Sequence, residues 1–212
     1  VHDGFMLEKA WDEIEASQSP FFKVILTQSS HEPFDVPAKP FLPPINEKNL
    51  FLNSCHYTDS CLGAFLDKLK SSKQWENTVV LLTADHGHRL PGNLPLQNRE
   101  RFRIPFLITG GAINQKNIVI STIGNQTDIA NTLLAQLGEA NKDFGFSKNL
   151  FADSVKSFSA SYYNDGFLRI SNNQFAVYDN VIRKFILIEG NKREPEAALA
   201  HQQKLYSDYN KR

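Results

Sequence analysis

The chain has 212 residues, enough for one good-sized domain with a real core. Its 41% hydrophobic and 22% charged content is that of an ordinary globular protein, and 23 basic side chains balance 23 acidic ones, so nothing in the composition calls for nucleic acid or an anionic membrane surface. No apolar run approaches the roughly 20 residues of a membrane helix. No signal peptide is recognisable either, and the opening Val1-His2-Asp3, without a start Met, reads as the interior of a longer protein.

In chain order, Phe5 to Ala16 carries a helix-like apolar stripe with charges between, ended by Pro20. "FFKVILTQ" follows, short, apolar and β-branched, and predicts a strand buried on both faces. "SSHEPFDVPAKPFLPP" holds five prolines in sixteen residues and must be an irregular loop. The apolar spacing predicts a long helix from about Glu47 to Ser71. Cys55 and Cys61 sit six apart within it, on different faces and about 9 Å apart in rise, so they are expected to be free thiols; redox compartment stays undecided.

"NTVVLLTA" and "IPFLIT" predict two further strands, the second closed by Gly110-Gly111. "DIANTLLAQLG" predicts a helix with a capping residue at its front and Gly138 at its end. From Phe21 to Gly138 strands and helices alternate, which argues for an α/β fold with a mostly parallel sheet flanked by helices. Beyond Phe144, "SFSASYY", "GFLRIS", "QFAVYD" and "IRKFILIE" predict a C-terminal antiparallel meander, and the tail predicts a surface helix. The expected organisation is therefore an α/β portion over 1–143, antiparallel strands over 144–194 and a terminal helix over 195–212.

The chemistry gathers in "TVVLLTADHGHRLPGN" (78–93), where an apolar strand runs straight into Asp85-His86-Gly87-His88-Arg89. Functional groups of α/β sheets collect at the carboxyl ends of strands. A carboxylate beside an imidazole is an ordinary ligand pair for Zn²⁺ or Mn²⁺. Neighbours on an extended strand point to opposite faces, so both reach one ion only if the backbone turns there. The alternative is an Asp85 that caps a turn beside solvated histidines. A second strand end carries His31, four residues past "FFKVILTQ"; two such ends could share one pocket, to which His88 and Arg89 would add donors for an anionic oxygen. His2, His56 and His201 fall in or near predicted helices and receive no role.

Taken together, "LTQSSHEPFDVP", "HYTDSCLGAFLDKLKSSKQWENTVVLLTADHG", "RIPFLITGG" and "IGNQTDIANTLLAQLG" resemble, in this order, the sulfatase branch of the alkaline phosphatase superfamily. Within it the chain is most similar to lipoteichoic acid synthase-like phosphoglycerol transferases, and "VHDGF" looks like the tail of that group's Trp-Gly-x-x-Asp segment. The resemblance implies that Asp85 and His86 bind a divalent metal, Mn²⁺ first, with Zn²⁺ or Ca²⁺ as alternatives. It implies that His31 meets the phosphate or sulfate of the substrate. A substrate contact from His88 or Arg89 is a further expectation, and Asp128 is expected to cap its helix.

The family's nucleophile is Thr in the transferases, or formylglycine from Cys-x-Pro-x-Arg in many sulfatases. Neither Cys55 nor Cys61 fits, and no Thr stands in the nucleophile context, so no catalytic nucleophile is expected in this chain. The resemblance thus implies the C-terminal portion of an enzyme whose nucleophile and acidic ligand lie upstream. Alone, the portion is expected to bind metal weakly and to be inactive. The implied partner is a phospholipid- or glycan-derived substrate outside the cytoplasm of a bacterium, on a protein anchored by upstream membrane helices. A sulfatase acting on sulfate esters and a non-catalytic α/β binding module remain alternatives. A nucleotide-binding domain is disfavoured because no Gly-rich phosphate loop follows a strand.

Overall fold

The computed structural model describes residues 1–115, 117–139, 143–190 and 193–211. They fall into two compact units, one from 1–95 with 104–116, the other from 96–103 with 117–212. The expected division after residue 143 does not coincide with these units.

The first unit begins with α1 (Asp3–Ala16), whose Leu7, Trp11 and Ile14 recur at helical spacing. They bury against Phe65 and Leu69 of α2 (Glu47–Lys70), giving an amphipathic helix pair. Asn46 caps α2 by accepting the Asn49 N–H at 2.9 Å. Cys55 and Cys61 are both free thiols in this helix, as the spacing requires.

One buried carboxylate ties the pair to the following segment. Asp3 Oδ1 accepts the backbone N–H groups of Gln28 and Ser29, and Oδ2 accepts the Thr58 hydroxyl at 2.7 Å. Burial alone would push the Asp3 carboxyl up, but the hydrogen bonds from Thr58, Gln28 and Ser29 together hold it below the usual carboxylate range.

β1 (Val80–Thr83) and β2 (Phe106–Thr109) form a two-stranded antiparallel ladder, with Val80 opposite Thr109 and Thr83 opposite Phe106. Gly110 (φ +134°) and Gly111 let the chain pass close to the turn after α2. A Cβ on Gly110 would stand 2.1 Å from the Thr78 carbonyl oxygen, and one on Gly111 2.4 Å from that of Trp75.

The α/β class stands, but the mostly parallel sheet is not formed: every ladder among the described residues is antiparallel. The physical reason lies between the strands. Residues 84–105 hold only a short 3₁₀ turn, not the helix a parallel crossover uses, so the chain returns antiparallel. The strand expected at "FFKVILTQ" is also corrected. Residues 21–28 belong to no ladder. Phe21 and Ile25 pack on the helix core, while Phe22, Val24 and Leu26 are 81%, 81% and 68% exposed. The period is that of a strand with one face covered, not two.

The second unit holds α3 (Asp128–Gln136), then β3 (Ser159–Tyr163), β4 (Gly166–Ser171), β5 (Gln174–Asp179), β6 (Lys184–Glu189) and α4 (Arg193–Tyr209). The four strands pair in sequence order, which is the expected meander. Leu168, Phe175 and Val177 form its core, and α4 packs on the sheet. Gly138 (φ +73°) ends α3, and the Glu139 N–H reaches back to the Leu134 carbonyl at 2.9 Å.

Two carboxylates are buried here with their partners. Glu194 of α4 pairs with Arg169 of β4 and accepts the Ser171 hydroxyl at 2.8 Å. Asp128, expected to cap α3, instead sits inside its first turn and is fully buried. Its oxygens accept the Asn125 and Lys148 N–H groups, with the Lys148 ammonium at 3.0 Å. It ties α3 to the 145–150 segment. Among the described residues no helix is long and apolar enough to cross a membrane.

Candidate metal and anion site

The site lies in the first unit, where β1 ends at Thr83 and the chain bends at Asp85 and His86. That bend turns two neighbours that a straight strand would oppose toward one point. Asp85 Oδ1 accepts the His86 N–H at 2.9 Å, and Oδ2 stands 3.6 Å from His86 Nε2. Two donors at ordinary ligand distances of about 2.0–2.2 Å from one ion show a separation of this size. The imidazole is also oriented for such a role. Its Nδ1 lies 2.9 Å from the Gly87 carbonyl oxygen, which can only accept, so Nδ1 carries the proton and Nε2 keeps its lone pair.

His31 shows the same pattern. Its loop is closed by the Phe34 N–H on the His31 carbonyl, and its Nδ1 donates to the Glu32 carbonyl oxygen at 2.8 Å, which leaves Nε2 as the acceptor atom. His88 is the opposite tautomer: its Nδ1 accepts the Leu90 N–H at 3.1 Å, so Nε2 bears the hydrogen. That Nε2 lies 3.9 Å from Glu32 Oε1. The ring stacks on Phe51 at 4.9 Å and meets Phe34 edge-on at 6.0 Å. Phe34 is buried with a left-handed φ of +62°, a conformation a bulky residue holds only when its surroundings fix it.

Arg89 is anchored. Its guanidinium pairs with Glu47 in the first turn of α2 and donates to Asn93 Oδ1 at 3.2 Å, while the Leu94 N–H closes the loop on the Arg89 carbonyl. The hydrogen bond from Arg89 holds the Glu47 carboxyl below the usual range. The loop after residues 21–28, which form no strand, meets the loop after β1 through His88 with Glu32 and Phe34. The sequence reading missed Glu32, Phe34, Glu47 and Phe51. Glu47 lies 42 residues from its partner, a pairing that no local pattern announces.

Asp85 and His86 remain solvent-facing at 69% side-chain exposure each. No group of three or more His, Cys, Asp or Glu side chains able to hold a metal is present among the described residues. The donor set fits a divalent ion as a two-ligand half-site.

Comparisons with known proteins bear on the family and the fold. The sulfatase family model matches residues 1–139. The lipoteichoic acid synthase-like protein YvgJ of Bacillus subtilis (strain 168) is 26% identical over 206 residues, covering 87% of this chain and 32% of its own length. A solved alkaline phosphatase superfamily protein from Vibrio parahaemolyticus matches with a TM-score of 0.76 and 26% identity, covering 99% of this chain and 55% of that one. The lipoteichoic acid synthase LtaP from Listeria monocytogenes also matches at 0.76, with 22% identity over 99% of this chain and 59% of its own, a likeness of fold. The chain thus spans about a third of the length of the first curated relative.

Proposed function

This chain belongs to the sulfatase family, and from that premise we propose that it is the C-terminal portion of a metal-dependent phosphoglycerol or related phospho-group transferase acting outside the cytoplasm. The observation that carries the proposal is the Asp85–His86 pair, bent onto one point with the His86 tautomer set for ligation. The exposed apolar row of Phe22, Val24 and Leu26 and the small share of the relatives' length covered support reading the chain as one portion of a larger domain. The transfer reading rests on the names of YvgJ and of lipoteichoic acid synthase 1 of Bacillus subtilis.

In this reading Asp85 Oδ2 and His86 Nε2 hold a divalent ion, Mn²⁺ first, and the remaining ligands and the nucleophile come from the part of the relatives' length that this chain does not span. A bound divalent ion supplies charge neutralisation on the attacked group and lowers the nucleophile's pKa. The chain's own residues then position the substrate. His88 Nε2–H donates to a non-bridging oxygen, held in place by the Phe34–Phe51 clamp. His31 Nε2 accepts a proton from, or orients, the oxygen that enters or leaves. Arg89, paired with Glu47, braces the base of the loop.

The test is Mn²⁺ titration of the purified chain by calorimetry, with Asp85→Asn and His86→Gln compared. Weak, saturable binding that falls by more than about tenfold in either variant supports the half-site; binding indifferent to both overturns it. Aryl phosphate and aryl sulfate are then offered to the chain and to a longer form carrying the upstream region. Turnover of phosphate by the longer form alone supports the proposal. Turnover of sulfate there favours a sulfate-ester hydrolase, the reading that the family model's own name suggests.

A further inference from the structure

His201, near the middle of α4 in the second unit, takes no part in that chemistry. Its ring meets Phe158 at 5.5 Å and Phe146 at 6.2 Å, both steeply inclined, and its Nδ1 lies 3.2 Å from the Tyr162 hydroxyl of β3. The helix is thereby seated on two segments of the unit at once. Cations already stand over both phenyl rings. The Lys148 ammonium lies 3.8 Å and the Arg169 guanidinium 4.5 Å from the Phe158 centroid, and the Lys204 ammonium lies 5.2 Å from that of Phe146. His201 is partly exposed and lines a pocket of about 280 Å³, so protons from solvent can reach it.

The charges packed about the imidazole are unequal. Lys148 and Lys156 come from the segment before β3, Arg169 from β4, and Lys204 from α4 itself, one turn on. The carboxylates that face them are already taken. Asp128 of α3 pairs with Lys148 at 3.0 Å, and Glu194, two turns earlier on α4, pairs with Arg169. The Tyr162 hydroxyl supplies a hydrogen bond but no charge. Burial, with the Tyr206 phenol nearby, pushes its pKa up to about 12, so it stays neutral beside His201. An imidazolium here would be one more cation among lysines and an arginine, with both carboxylates engaged elsewhere.

We propose that His201 makes the seat of α4 a pH-sensitive latch: neutral, the imidazole closes the helix on Phe146, Phe158 and Tyr162; protonated, it is repelled by the cations around it and the helix loosens from the sheet. The electrostatics agree in sign. Burial, and then the charges of Arg169, Lys148 and Lys204, push the folded imidazole below its ordinary value of 6.5, with Asp128 the opposing influence. The unfolded ring therefore takes up a proton at a pH where the seated one is still neutral. Seating of α4 is fully favoured above the unfolded value and is lost as pH falls through the folded one. The inference stands on the second unit alone and does not depend on the assignment of Asp85 and His86.

Amide hydrogen exchange of the full 212-residue chain, followed by NMR and corrected for the intrinsic pH dependence of exchange, tests the latch. Between about pH 7.5 and pH 5 the protection of the α4 amides is expected to fall by about threefold or more, and that of the α1 and α2 amides should not follow it. His201→Gln keeps a neutral hydrogen-bonding side chain and should flatten the fall. Lys204 is exposed, so Lys204→Gln should keep the parent's circular dichroism, and by removing one repelling charge it should make the fall smaller. The imidazole signals of the parent should show His201 titrating below the ordinary value. Titration at or above 6.5, or α4 protection that stays level in the parent, overturns the latch. A fall of unchanged size in both variants also overturns it, by moving the acid response to other groups.

Discussion

The two units reach stability by different routes. The second closes its own sheet: four strands pair in order, the centre of the meander is fully buried, and its interior carboxylates Glu194 and Asp128 each face a cation. The first packs two helices on one side of its extended segments and leaves the other side bare, with Phe22, Val24, Leu26 and Leu107 exposed. The lesson is that similar apolar runs, "FFKVILTQ" and "GFLRISNNQFAVYD", become interior or surface according to whether the chain itself supplies the strands beside them.

The comparison breaks most sharply at Glu194. Glu194→Ala leaves Arg169 as an unpaired buried charge, and a loss of about 3–5 kcal/mol is expected. It is measured by urea unfolding followed through far-ultraviolet circular dichroism. Trp11 and Trp75, the chain's only two tryptophans, both lie in the first unit. Their fluorescence should therefore shift less than the dichroism does.

The corresponding break in the first unit is Asp3→Ala, which strands the Gln28 and Ser29 N–H groups and the Thr58 hydroxyl. The expected cost is about 2–4 kcal/mol, read by the same tryptophans. An unchanged fluorescence midpoint would refute the role given to Asp3.

Acid sharpens the contrast. The folded Asp3 carboxyl titrates below its unfolded value of 3.8, so its stabilisation is complete above that pH and is lost as pH falls through the folded pKa. Asp3→Asn should flatten the acid limb of the first unit's stability below about pH 4. A limb as steep as the parent's would place the acid sensitivity elsewhere.

The smallest effect is expected on the bare face. Phe22→Ser/Val24→Thr/Leu26→Ser should change the chain's unfolding free energy by less than about 0.5 kcal/mol and reduce its tendency to aggregate. Phe21→Ala, one residue away but packed on the α1–α2 core, should cost more than the three together. A large loss from the triple variant would mean that this face is covered within the chain after all.

Much of the fold was legible because its signals are local. The stripe of Leu7, Trp11 and Ile14 specified α1, Gly138 marked the end of α3, and the Asn- and Gly-punctuated runs after Phe144 specified a meander. The candidate site was half legible. Asp85 and His86 stand together in sequence at a strand's end, and so could be found there. The Phe34–His88–Phe51 clamp and the Glu47–Arg89 anchor could not be found this way, since each joins residues far apart in the chain. His201 was passed over for the same reason: its partners Phe146, on one segment, and Phe158 and Tyr162, at and in β3, lie far from it in the chain.

By itself, the sequence determined which stretches are helical or extended, where they stop, and which residue types cluster at the end of β1, because periodicity, caps and turn residues act over a few neighbours. Only the tertiary structure decided the direction of β2, the uncovered face of 21–28, the use of Asp128 as a buried tie instead of a cap, and the tautomers of His31, His86 and His88. Each of these depends on a hydrogen-bond partner or a covering surface supplied from elsewhere in the chain, and no local pattern encodes where that partner will be.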